Sequence, residues 1–125
     1  MISRRNFVLA GVASASAFGF SLPALAAAYS DAAFTAAKAS GKPFVIEFHA
    51  DWCPTCRAQA PVLRSLSAGK FTILTVSYDD QKNVVKKFGV RRQSTLIVFK
   101  NGQEVGRAVG ITGESAIGKL LAKAS

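Results

Sequence analysis

Phe44-Val45-Ile46-Glu47-Phe48 is an apolar, β-favouring run broken by a single acid, and it predicts a buried strand over 43–49. The pattern on either side is helical. Ser30 is placed to cap a helix running through Ser40, with Gly41 as its stop. Pro54 suits the first turn of a helix, where a missing N–H costs nothing. The residues after it stay helical in composition, predicting a helix over 54–68. A second apolar run, Phe71 to Ser77, predicts another strand. Val84, Val85 and Phe88 fall at helical spacing behind Asp79 and Asp80, either of which can cap a short helix. Residues 95–100 read as a strand, Asn101-Gly102 as a hairpin turn, and 104–109 as the returning strand. Thr112-Gly113-Glu114 opens a last helix to about Lys123. The order is α/β: a central mixed sheet of about four strands, with an antiparallel edge hairpin and helices on both faces.

Ahead of these elements the pattern changes. No charge occurs from Phe7 to Ala28, and Arg4 and Arg5 precede the run, as in a twin-arginine export signal. Ala24-Leu25-Ala26 supplies small residues for cleavage before Ala27; Ala26-Ala27-Ala28 is a second possible site. The run is long enough to span a bilayer, so an uncleaved anchor is the competing reading. Its richness in Ala, Ser and Gly, and Pro23 just before the cleavage site, favour a cleaved signal. No cysteine lies there to carry a lipid. The expected organisation is a signal peptide over 1–26 and one domain over 27–125, located in the periplasm.

Loss of residues 1–26 removes two of the 16 basic residues and none of the 7 acidic ones, so the formal charge falls from +9 to +7. That balance favours acidic partners or anionic lipid. No nucleic-acid motif is present, and export argues against that partner class. Lys82, Lys86, Lys87, Arg91 and Arg92 read as a solvated face.

Cys53 and Cys56 are the only cysteines, in Trp52-Cys53-Pro54-Thr55-Cys56. Residues three apart on a helix share a face, and their Cα atoms then lie about 5–6 Å apart, near the disulfide optimum. Such a pair opens and closes with little backbone movement, which suits two-electron thiol–disulfide exchange. As a structural staple it would close a very short loop and constrain the unfolded chain little, contributing roughly 2 kcal/mol. As a structural zinc site it lacks ligands, since four are needed and the chain offers two Cys and one His; no metal site is assigned. Cys53 stands at the mouth of a helix N-terminus, where orphan N–H groups and the dipole favour a thiolate. Cys56, one turn deeper, is expected to be more buried. That asymmetry makes Cys53 the nucleophile and Cys56 the resolving thiol.

Phe48-His49-Ala50-Asp51-Trp52-Cys53-Pro54-Thr55-Cys56, Pro61, Phe88-Gly89-Val90-Arg91, Thr95 to Gly102 and Val109-Gly110 together resemble the thioredoxin superfamily, over roughly residues 30–123. Ala36 to Pro43 resembles thioredoxin-like domains of periplasmic disulfide-reducing systems. Trp52 to Arg57 resembles the reductases of cytochrome c maturation. The resemblance implies a thioredoxin fold, no cofactor beyond the Cys53–Cys56 redox-active disulfide, and a buried acid at Glu47. A carboxylate on a core strand is costly unless neutral or paired, which suits Glu47 to shuttle the Cys56 proton. Many thioredoxins place a lysine where this chain has Thr75, so Glu47 is expected to lack its usual cationic neighbour. Trp52 is expected to shield the pair and offer a docking surface, and His49 to stand at the edge of the site.

The clearest departure is Ser94. Thioredoxins usually carry a cis-proline before Thr-Leu, facing the cysteines; here the string is Arg92-Gln93-Ser94-Thr95-Leu96. A cis bond before serine costs about 2.5–4 kcal/mol, so a trans bond is the expectation. The resemblance also implies that Pro54, Gln93, Ser94 and Thr95, with Trp52, hold substrate.

The resulting expectation is a monomeric, exported oxidoreductase that reduces disulfides in exported proteins. A membrane thiol donor would re-reduce it, because the periplasm is kept oxidising. The alternatives are a net oxidase or isomerase, or a non-catalytic redox sensor or metal or iron–sulfur carrier using the same pair.

Overall fold

The structure, a computed structural model, describes residues 26–125. The twin-arginine sequence and nearly all of the predicted signal peptide lie outside the described residues. The elements are β1 (Ala26–Ala28), α1 (Asp31–Ala39), β2 (Phe44–His49), α2 (Pro54–Ser67), β3 (Thr72–Ser77), α3 (Lys82–Lys87), β4 (Thr95–Lys100), β5 (Gln103–Val109) and α4 (Glu114–Ala122). They form one sheet of five strands in the order β1-β3-β2-β4-β5. β1 and β2 run parallel to β3, while β4 is antiparallel to β2 and to β5.

The expectation of about four strands is corrected by β1. Three alanines give no β signal, and Ala26 falls inside the predicted signal. The strand exists because the edge of β3 offers unpaired backbone groups, and Ala26, Ala27 and Ala28 take them up opposite Ile73, Leu74 and Thr75. The short helix also starts later than predicted, at Lys82. Both aspartates are engaged elsewhere: Asp79 accepts from the Trp52 indole and Asp80 from the Ser77 hydroxyl. Gln81 takes the cap position without a side-chain cap bond. Elsewhere local chemistry matches: the Ser30 hydroxyl caps α1, and Asn101 (φ 52°) and Gly102 (φ 76°) make the positive-φ hairpin turn.

Alternation along β2 divides the core. Phe44, Ile46 and Phe48 point to the α1 and α3 side, among Phe34, Leu74, Val84, Ile97 and Phe99. Val45 points to the α2 and α4 side, with Leu63, Ile73, Leu96, Ile117 and Leu120. Each fully buried large apolar side chain stabilises the fold by about 1.5–3 kcal/mol. β2 is central and covered on both faces, so its C-terminal end is a fixed platform. Residues 50–53 leave that platform and α2 begins on it.

Candidate functional site

Cys53 is the N-cap residue of α2, in extended backbone, and its Sγ accepts the Cys56 N–H at 3.2 Å. Pro54 follows as the first helical residue and is exposed. Both cysteines are free thiols. The expected difference in exposure is slight, 3% for Cys53 and 1% for Cys56; the asymmetry lies in their hydrogen bonds. Burial pushes the Cys53 thiol up, but hydrogen bonds from the Cys56 thiol, the Ser94 hydroxyl and the N–H groups of Cys56 and Thr55 outweigh it, and the net direction is down. Cys56 goes the other way. Burial and its hydrogen bond to Cys53 raise it, and Ser94 only partly offsets them. One thiol is therefore poised to ionise while the other keeps its proton.

Ser94 faces the pair from the loop before β4. It is buried, and its Oγ lies 3.4 Å from Cys53 Sγ and 3.0 Å from Cys56 Sγ. The Gln93–Ser94 bond is trans, like every peptide bond among the described residues, and Ser94 is left-handed at φ 63°. That region is strained for a residue other than glycine, by about 1 kcal/mol or more. Three bonds hold it. The Ser94 N–H donates to the Phe48 carbonyl at 2.8 Å, and its own carbonyl accepts from Gly110 N–H at 3.0 Å and Gln59 Nε2 at 3.1 Å. A proline ring would remove the first bond and could not adopt this φ.

Gln59 is a site residue that the sequence reading missed. It is buried, and its amide also donates to the Ile111 carbonyl at 2.8 Å, so one side chain ties the Ser94 loop to the segment after β5. A polar residue three after Cys56, on the buried stripe of α2, was the available signal. Thr95 is buried and donates to the Arg92 carbonyl, while Gln93 is half-buried.

Glu47 is 2% exposed. Thr75 Oγ1 donates to its Oε1 at 2.6 Å, and Arg64 of α2 approaches the same oxygen at 4.0 Å. Thr75 thus stands beside Glu47 in place of the usual lysine, as expected, and a different cation approaches from α2. Half-exposed Arg64 is a weak partner. No hydrogen bond joins Glu47 to either sulfur among the described residues. His49 pairs with Asp51 at 3.0 Å and does not join the cysteines. Trp52 is 59% exposed, and its indole N–H donates to Asp79 at 2.7 Å. A groove of about 510 Å³ runs beside the site, bordered by His49, Trp52, Arg64, Thr75 and Asp79, without either cysteine in its wall.

The arrangement is a dithiol with divided acidity, buried beneath a loop that hydrogen-bonds both sulfurs and flanked by an exposed indole. Residues 26–123 match the family model described as Thioredoxin. The thioredoxin of Mycobacterium tuberculosis is 40% identical over 91 residues, 70% of this chain and 78% of that protein. An M-type chloroplastic thioredoxin of Zea mays is 37% identical over 84 residues, 65% of this chain and 50% of that protein. Among solved structures, Trxlp from Edwardsiella tarda superposes with a TM-score of 0.74 at 44% identity, over 78% of this chain and 98% of that one.

Proposed function

This chain belongs to the thioredoxin family, and we propose that it works outside the cytoplasm as a reductase of disulfides in exported proteins. Its activity is thiol–disulfide exchange on disulfide-bearing proteins, and the cysteine pair serves without a further cofactor. The net oxidase or isomerase, the redox sensor and the metal carrier are not favoured by these likenesses. Among the described residues no cluster of three or more His, Cys, Asp or Glu is placed to hold a metal.

The observation that carries the reading is the geometry of two adjacent thiols at the start of α2: Cys53 as N-cap accepts the Cys56 N–H at 3.2 Å, and Ser94 Oγ lies within reach of both sulfurs. Cys53 sulfur, as thiolate, attacks a substrate disulfide. A Cys53–substrate bond forms, and one substrate sulfur departs with the electron pair of the broken bond. Cys56 then loses its proton and attacks Cys53 sulfur, releasing the second substrate thiol and leaving Cys53 and Cys56 oxidised. Two electrons have passed to substrate with the Cys56 proton, and the first substrate thiolate takes its proton from water. Because Cys53 is held below the ordinary thiol range, attack rises with pH through a midpoint lower than that of a free thiol. Cys56 is pushed the other way, chiefly by burial. Trp52, Pro54, Gln93 and Thr95 form the proposed substrate rim.

Export rests on Arg4-Arg5, the uncharged run behind them and the Ala24-Leu25-Ala26 cleavage sequence. A membrane thiol donor is then needed to return the pair to dithiol. Rapid acid quenching and alkylation of the protein from its native cells tests both points. The expected product begins at Ala27, is found in the periplasm and carries two alkylated cysteines. A cytoplasmic protein that retains Met1 would remove the export reading, and a mostly disulfide form would remove the reductive direction.

Glu47, the buried acid behind the site, is proposed to assist loss of the Cys56 proton. In Glu47→Gln the side-chain carbonyl still accepts from Thr75, so the fold survives. Resolution by Cys56 should slow roughly tenfold, below the usual span of general base catalysis because the carboxyl does not touch sulfur. Wild-type turnover across neutral pH in a folded Glu47→Gln protein rules this role out.

A further inference from the structure

We propose that the Ser94 hydroxyl is a catalytic group that relays the Cys56 proton towards Cys53 and the substrate sulfur bonded to it. The inference rests on the thiol–disulfide reading and assigns it a residue. Ser94 Oγ is within hydrogen-bond reach of both Cys56 Sγ, at 3.0 Å, and Cys53 Sγ, at 3.4 Å. A hydroxyl has one proton to give and lone pairs to receive another. It can accept from the Cys56 thiol and donate to the Cys53 thiolate at once.

Other side chains nearby are occupied. Tyr78 packs against Ala50, Cys53 and Cys56, but its hydroxyl donates to the Arg91 carbonyl. Glu47 is bonded to Thr75 and approached by Arg64, and His49 is paired with Asp51. The remaining polar contacts of the sulfurs are the Cys56 thiol and the N–H groups of Cys56 and Thr55 towards Cys53, and the Phe48 carbonyl, 3.9 Å from Cys56 Sγ. The N–H groups and the carbonyl cannot pass a proton on, which leaves direct transfer between the thiols as the competing path.

The placement of Ser94 is built, not incidental. Its backbone is held left-handed by bonds to Phe48, Gly110 and Gln59. Those bonds fix the direction in which Cβ carries the hydroxyl.

In the resting dithiol, the Ser94 O–H stabilises the Cys53 thiolate. During resolution the Cys56–Cys53 bond forms and the Cys53–substrate bond breaks. The Cys56 proton passes to Ser94 Oγ, while the hydroxyl's own proton goes to the departing substrate sulfur. That sulfur takes the electron pair of the broken bond and leaves as a thiol. Cys56 sulfur is oxidised, substrate sulfur is reduced, and serine ends as it began.

Ser94→Ala removes only the hydroxyl. Ser94→Gly removes it and also suits the positive φ, so one variant remains foldable if the other is strained. Both keep the N–H and C=O that tie the loop down. Two measurements are made on wild type and both variants: thiolate absorbance of the dithiol against pH, and decay of a preformed Cys53–glutathione mixed disulfide, quenched in acid and weighed. The first thiolate to form should appear about one pH unit later in the variants, the scale of a lost hydrogen bond to charge. Mixed-disulfide decay should slow about tenfold or more. Both changes are required. A proton shared directly between the thiols survives loss of the hydroxyl, so an unmoved titration, or decay within about twofold of wild type, overturns the relay. If wild type itself resolves no mixed disulfide, it is the oxidoreductase reading that falls.

Discussion

Cys56→Ser stops the reaction at its midpoint. Cys53 keeps its place at the N-cap, so the first attack proceeds, but no thiol remains to release the partner. Multiple turnover with a disulfide protein should fall by about 10³-fold or more, as when one member of a catalytic unit is removed. The same protein should accumulate covalent adducts on Cys53 that reducing agent releases, and mass spectrometry of the adducts names the partners. Cys53→Ser should lose turnover to the same extent and yield no adducts. Adducts on Cys56 in the Cys53→Ser protein, at the level seen with Cys56→Ser, would reverse the assignment of nucleophile and resolving thiol.

Phe44→Ala has the largest expected effect on stability. The Phe44 ring is 1% exposed, stacked on Phe99 at 4.7 Å and edge-on to Phe34 at 5.9 Å. It opens the central strand, between two neighbours that are themselves buried. Truncation leaves a cavity that these rings cannot fill, at about 4 kcal/mol. The thermal midpoint should drop by roughly 15–30 °C for a domain of this size. Denaturant unfolding of the purified protein measures it. A loss under about 1 kcal/mol would mean that the aromatic cluster collapses onto the gap.

Most of this architecture was legible where each residue's neighbours in sequence decide its conformation. Phe44 to Phe48 reads as a strand because its pattern is apolar on both faces. Ser30 reads as a cap and Asn101-Gly102 as a turn because their chemistry is local. β1 was not legible, because Ala26–Ala28 is a strand only by virtue of the β3 edge beside it. The start of α3 shifted because Trp52 and Ser77, remote in sequence or outside the cap geometry, claim the two aspartates. At the site, the spacing of Cys53 and Cys56 marked the chemistry, and the trans bond before Ser94 followed from the cost of the alternative. The left-handed φ of Ser94 did not, since serine carries no mark of it. Gln59 and Arg64 reach Ser94 and Glu47 across space, from a helix whose composition gave only its length. The buried position of Cys53 escaped for the same reason: the loop that covers it comes 41 residues later.

Trp52 has a consequence for how this molecule can be watched. It is the only tryptophan in the chain, so indole fluorescence has one source, and that source is the residue before Cys53. Most of its surface faces water, and its N–H is tethered to Asp79. A partner that settles against Cys53 strips water from this ring and alters its emission without any attached dye. The same optical channel follows both docking and release in real time, at the spot where the covalent step occurs.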